Sequence, residues 1–165
     1  MRLLTSGIFI FVLIILQTAY AEVLQKADEV LVVKSEKRLY LINKGKRFAS
    51  LPVTFGANPV GHKQAQGDER TPEGKYTLGY KNEHSKFYKS IHVSYPNAQD
   101  RKNAKRLGVN PGGDIMVHGQ TNGWEWASLI VQFFPWTDGC VALSNKNMDK
   151  VWASVDPGTP IEIRP

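Results

Sequence analysis

From Val30 to Phe55 the apolar residues come in short β-prone runs, and this punctuation constrains the fold more than any other feature. Val30-Leu31-Val32-Val33, Arg38-Leu39-Tyr40-Leu41-Ile42 and the run from Phe48 to Phe55 are rich in branched and aromatic residues. Ser35-Glu36-Lys37 and Asn43-Lys44-Gly45-Lys46 separate them as polar turn material, which predicts two successive hairpins. Further strands are expected at 75–80, 89–95, 114–118, 140–143 and 161–163. Helices are expected at 97–107, closed by Gly108, and from a cap at Ser144 or Asn145 to about Ser154. A third spans Glu125 to Phe134, where Ala127, Ile130, Val131 and Phe134 recur at helical spacing. The sum is a β-rich α+β chain, one domain with two or three short helices packed on its strands.

The N-terminus predicts export. Met1-Arg2 supplies a positive charge, Ile8 to Leu16 is unbroken apolar sequence, and Ala19-Tyr20-Ala21 is a small-x-small cleavage site. That layout is a secretory signal peptide over residues 1–21, followed by one domain over 22–165. A spanning helix needs about 20 apolar residues, more than this run offers, so no stable membrane anchor is expected after cleavage. No cysteine follows the apolar run, which excludes lipoprotein anchoring. The expected location is the periplasm, or the cell envelope after secretion. The chain has one cysteine and therefore no internal disulfide, but a domain of this length can bury a core without staples. Formal net charge is +6, gathered at Lys34/Lys37/Arg38, Lys44/Lys46/Arg47 and Lys102/Lys105/Arg106, which read as solvated faces. An exported basic chain meets anionic envelope polymers sooner than nucleic acid, and no nucleic-acid motif is present.

The longest stretch without periodicity, 56–74, contains Gly56, Pro59, Gly61, Gly67, Pro72 and Gly74 and reads as a functional loop. The lone Cys140 sits in Trp136-Thr137-Asp138-Gly139-Cys140, after a flexible glycine and two polar residues, a setting that suits a nucleophile better than a buried thiol. A thiol attacks as thiolate and needs a base. His118 is the best candidate, because it ends a predicted strand and Gly119 behind it leaves room for a reacting group. His92 lies inside a strand, His84 reads as exposed loop, and His62 in the long loop is within reach of a site. Amides around Gly139 and Cys140 can hold an oxyanion, since glycine lets backbone approach a carbonyl closely. Asp138 has two readings, fixing the cysteine loop by hydrogen bonds or acting on substrate. Trp124 or Trp136 can wall a groove beside Cys140. No metal-ligand spacing or phosphate loop occurs, so no metal or cofactor is expected.

Ile115-Met116-Val117-His118-Gly119 followed by Thr137-Asp138-Gly139-Cys140-Val141-Ala142-Leu143-Ser144-Asn145 resembles the active-site signature of the L,D-transpeptidase catalytic domain. Gly61-His62-Lys63, Gly67 to Tyr76, Ser94-Tyr95-Pro96-Asn97 and Pro111-Gly112-Gly113 are similar to the same family's loops, so the likeness runs from about Val30 to Ile163. Asp138 stands where the family usually has His and Ala142 where it often has Arg, and Thr137-Asp138-Gly139-Cys140 resembles the YafK-type branch. The resemblance implies a β-sandwich or open-barrel domain and cysteine acyl transfer on peptidoglycan stem peptides. It implies Cys140 as nucleophile, His118 as general base and acid, the Gly119 carbonyl orienting His118, and Gly139 and Cys140 amides as oxyanion donors. Asp138, Thr137, Trp136 and His62 are the expected substrate-binding residues. The acceptor it implies is an amine of a second stem or a lysine of a wall-linked lipoprotein; water as acceptor would make the domain a carboxypeptidase or endopeptidase. An inactive wall-binding protein is the remaining alternative.

Overall fold

The structure is a computed structural model that describes residues 25–123 and 134–165. The signal segment and the helix expected from Glu125 lie outside the described residues, apart from Phe134. The strands are β1 (Glu29–Val33), β2 (Arg38–Asn43), β3 (Lys46–Pro52), β4 (Gly74–Ser85), β5 (Tyr88–Val93), β6 (Met116–His118), β7 (Val141–Ala142) and β8 (Pro160–Arg164). Helix α1 (Ala98–Leu107) lies between β5 and β6, and α2 (Asn145–Ser154) between β7 and β8. Among the described residues the strands form one mixed sheet in the order β3-β2-β1-β8-β4-β5-β6-β7.

The two predicted hairpins are present as the antiparallel ladders β1–β2 and β2–β3. The C-terminal strand inserts beside β1 in parallel, pairing Val30 with Ile161 and Val32 with Ile163. β4 bends the sheet. Its first residues pair with β8, its later ones with β5, and the register shifts between Leu78 and Lys81. The edges β3 and β7 do not pair along their length; one bridge joins Thr54 to Ala142 where the curled sheet meets itself. Leu39, Leu41, Leu78, Ile91, Leu143, Met148, Ile161 and Ile163 are each at most 1% exposed and fill the space enclosed. Each such side chain contributes about 1.5–3 kcal/mol by leaving water.

Both helices start on side-chain caps. Asn97 accepts from the amides of Gln99 and Asp100 at 2.8 and 3.0 Å, while Asp100 accepts from Asn97 N–H at 2.8 Å. Gly108, at φ 69°, ends α1 in the left-handed conformation. Ser144 caps α2, which turns Met148 and Val151 into the core. Lys81 of β4 closes the other end of α2, its ammonium donating to the carbonyls of Trp152 and Val155.

The long 56–74 loop is tied down by two buried lysines. Lys34, expected on a solvated face, is only 6% exposed. Its ammonium donates to Glu73 Oε1 and Gly61 O, each at 2.7 Å. A loop made of backbone carbonyls needs a donor from the sheet below it, and Lys34 at the end of β1 supplies one. Lys63 donates to Asp68 Oδ1 at 2.8 Å and to Ala65 O at 3.1 Å. Burial alone would raise the Asp68 carboxyl, but Lys63 and the amides of Gln64, Ala65 and Arg70 outweigh it and bring its pKa down to about 2. The carboxylate's contribution is therefore complete above pH 4 and lost as pH falls from there towards 2. Asp68→Asn strands the Lys63 charge in the interior and is expected to cost about 3 kcal/mol in urea denaturation.

Candidate active site

Adjacent parallel strands bring the two reactive side chains together. β6 and β7 pair Val117 with Val141 and His118 with Ala142. The register places Cys140 level with Met116, two residues before His118, so both side chains leave the same face of the sheet. Both line one cavity of about 770 Å³, walled also by Lys63, Glu69, Phe87, Asp114, Trp136, Thr137 and Asp138. That volume suits a small ligand or one segment of a peptide.

Cys140 is half-buried. Its Sγ accepts from the Met116 N–H at 3.4 Å and faces the Asp114 carbonyl at 3.7 Å, to which the thiol donates. Burial pushes the thiol pKa up; the Met116 amide opposes this, Asp138 and Asp114 add to it, and Lys63 counters them. His118 is 1% exposed. Its Nδ1 lies 2.6 Å from the Gly119 carbonyl. A carbonyl only accepts, so Nδ1 carries the proton and the Nε2 lone pair stays free. Burial lowers the imidazole pKa to about 4, against a smaller upward effect of the Gly119 bond. Near neutral pH the pair therefore rests as thiol and neutral imidazole.

The cysteine loop is packed backbone against backbone. Gly139 has φ 113°, and a Cβ there would fall 2.4 Å from the Arg70 carbonyl oxygen. A Cβ on Gly56 would fall 2.3 Å from Glu69 O and 2.4 Å from Thr137 O. The 56–74 loop thus braces the cysteine turn directly. Gly139→Ala combines an unfavourable dihedral with this clash, and is expected to lower stability by at least about 3 kcal/mol in thermal denaturation.

Thr137, Asp138 and Trp136, the expected substrate-binding residues, line the cavity. The turn is fastened by Thr137, whose hydroxyl donates to Cys140 O at 2.8 Å and receives Gly139 N–H at 3.4 Å. Asp138 is exposed and makes no hydrogen bond through its carboxylate among the described residues; its charge acts on the thiol instead. His62 does not line the cavity. Its Nδ1 accepts from Glu73 N–H at 2.9 Å, and its Nε2 lies 3.1 Å from Asp100, so it joins the long loop to α1. Gly119 provides close packing rather than open space for a reacting group. A Cβ there would meet Asn145 Oδ1 at 2.8 Å and Tyr88 Cβ at 2.9 Å. His84 belongs to β4 instead of a loop, and His92 stacks on Tyr80 with centroids 4.9 Å apart. Trp124 lies outside the described residues. Phe87 is a cavity residue that no sequence pattern marks. Lys63, Glu69 and Asp114 also line the cavity, and the last two have positive φ, 56° and 54°. Among the described residues no group of three or more His, Cys, Asp or Glu could hold a metal ion.

Comparison with known families gives residues 27–163 as a match to the L,D-transpeptidase catalytic domain. The chain belongs to that family. YafK of Escherichia coli (strain K12), a relative whose own activity is unestablished, is 28% identical over 131 residues, covering 75% of this chain and 45% of YafK. The crystal structure of the helical cell shape determining protein Pgp2 from Campylobacter jejuni is similar, with TM-score 0.60 and 29% identity over 82% of this chain and 46% of Pgp2. An L,D-transpeptidase from Xylanimonas cellulosilytica shares the fold, with TM-score 0.55 at 16% identity over 84% of this chain and 61% of that one. The chain thus spans less than half the length of YafK and Pgp2. The L,D-transpeptidase fold of one mixed, unclosed sheet with helices agrees with the β-rich α+β domain expected from the sequence.

Proposed function

We propose that this L,D-transpeptidase-family domain is an exported thiol acyltransferase acting on peptidoglycan stem peptides, with Cys140 as nucleophile and His118 as base. The observation that carries the reading is a buried imidazole, tethered through Nδ1 to Gly119 O, in the same cavity as the thiol. Because the resting pair is neutral, the proton leaves Sγ for Nε2 as sulfur attacks, and no standing thiolate is required.

In the acylation step Sγ bonds to the carbonyl carbon of the L-centre of the third stem residue, typically diaminopimelate. The tetrahedral oxyanion is held by amides of the Gly139-Cys140 turn. Collapse breaks the C–N bond, and His118 Nε2 gives its proton to the departing D-amino acid. In the second step an acceptor amine attacks the thioester, Nε2 takes its proton, and Cys140 leaves as thiol. A second stem peptide as acceptor yields a cross-link, a lipoprotein lysine yields an attached protein, and water yields hydrolysis. Residues 1–21 would direct this chemistry to the envelope, leaving 22–165 as the working domain.

Tetrapeptide muropeptides incubated with the protein, with and without an amine acceptor, test the reading by mass spectrometry. Release of the terminal D-amino acid with an acceptor adduct is the expected result. Release with tripeptide alone assigns the domain to hydrolysis, and no release in either arm contradicts acyl chemistry on this substrate.

A further inference from the structure

Phe87 sits at the tip of the β4–β5 hairpin, between Ser85 and Tyr88, where the ladder itself asks nothing of its side chain. Its ring nevertheless lies on the imidazole of His118, with centroids 4.6 Å apart and planes inclined by 31°. Trp136, from the cysteine loop, meets the same imidazole edge-on at 5.4 Å and 69°. Two aromatic rings from segments far apart in sequence therefore enclose one histidine.

The hairpin tip is held in place from outside the hairpin. Asn122 Oδ1 accepts from Tyr88 N–H at 2.8 Å, its Nδ2 donates to Ser85 O at 3.1 Å, and its own N–H donates to Lys86 O at 3.2 Å. Ser85 Oγ accepts from Phe87 N–H at 3.1 Å. Tyr88 has φ 63°, a left-handed conformation that costs free energy for a non-glycine residue and needs such restraint. One asparagine fastens three points of a strained tip, and the residue presented there is Phe87.

We propose that Phe87, clamped by Asn122, is a positioning residue for the base: it shuts water away from the imidazole and so keeps His118 a neutral proton acceptor. The inference rests on reading His118 as the base. Two effects of the phenyl ring oppose each other. Its face attracts a cation, which would favour imidazolium. Its bulk removes the water that would solvate that cation, which favours the neutral ring. Burial is the larger influence on His118 and lowers its pKa to about 4, so water exclusion outweighs the attraction of the ring face. The imidazole has no ion-pair partner among the described residues. The charged groups on its cavity side are Glu69, Asp138, Asp114 and Lys63, beside the titratable Cys140. On the hairpin side, Tyr88 and Lys89 are both engaged by Asp149 of α2.

The test is the NMR titration of the His118 ring, assigned by its absence in His118→Gln. It needs no substrate, so a protein without turnover still answers, and failure of the proposed activity remains a separate result. In Phe87→Ala the titration is expected to rise by about 1 pH unit or more towards the ordinary histidine value near 6.5. Phe87→Leu, which retains apolar cover but has no π face, is expected to stay near native. An unmoved titration in Phe87→Ala overturns the proposal. A downward one also overturns it, by showing that the phenyl face had favoured the cation. Should Phe87→Ala not fold, Asn122→Ala decides: a rise supports the clamp, and no rise overturns it.

Discussion

Replacing Cys140 with alanine is expected to abolish turnover of tetrapeptide stems while leaving the domain folded. The thiol's two contacts, Met116 N–H at 3.4 Å and Asp114 O at 3.7 Å, are long and weak, and the loop around it is held by other groups. Thr137 fastens the turn, and Gly139 and Gly56 lie against the 56–74 backbone. Thermal denaturation should therefore change by no more than a few degrees, as ~1 kcal/mol shifts the midpoint of a small domain by about 2–8 °C. The rate of D-amino acid release should fall by about 10⁴-fold or more, because the sequence holds no second thiol to form the acyl intermediate. An unchanged muropeptide profile with the alanine variant would instead mark the domain as a wall-binding protein.

His118→Gln should have the second-largest effect on rate, with a separate signature in stability. Glutamine is neutral at every pH and its amide nitrogen stands one bond further out than Nδ1, so both the proton acceptor and the bond to the Gly119 carbonyl are lost. Removal of a general base costs about 10²–10⁴-fold in kcat. Stability should move differently with pH. The native imidazole titrates near 4 when folded, well below its ordinary 6.5. Between those values the unfolded chain binds a proton that the folded chain refuses. Native stability is therefore greatest with respect to this group above pH 6.5, and falls as pH drops towards 4, by about 3 kcal/mol in all. Urea denaturation at pH 7.5 and 4.5 should show that loss in the native protein and a flatter response in His118→Gln. Equal pH dependence in the two would contradict a buried, neutral His118.

Where a boundary rests on local chemistry, it could be read from the residues alone. Asn97 and Gly108 bracket α1, Ser144 starts α2, and the polar turns after Val33 and Ile42 produce the expected hairpins. What escaped depends on contacts between distant segments. β8 enters the sheet beside β1, and nothing in Ile161-Glu162-Ile163 names that neighbour. β4 runs through Asn82-Glu83-His84, a polar stretch that reads as loop, because the long hairpin with β5 continues past the covered core. Lys34 reads as surface because its charge is visible in sequence, whereas the carbonyls and carboxylate awaiting it belong to the 56–74 loop.

The site divides in the same way. Cys140 and His118 are marked as candidates by residue type and spacing, and adjacent strands bring them to one cavity. His62 carries an equally suggestive residue type, but Asp100 and Glu73 bind it elsewhere. Phe87 carries no signal at all. A phenylalanine in a hairpin tip is ordinary until its ring lies on the His118 imidazole.

Intact-protein mass spectrometry, after brief exposure to a defined tetrapeptide muropeptide, tests the acyl-transfer mechanism most directly. The mass expected is that of the protein plus the tripeptide-containing fragment, less the water equivalent lost in forming a thioester. Peptide mapping should place it on Cys140, and an added amine or water should discharge it. Substrate consumed at full rate while Cys140 is blocked by a thiol reagent would contradict the mechanism.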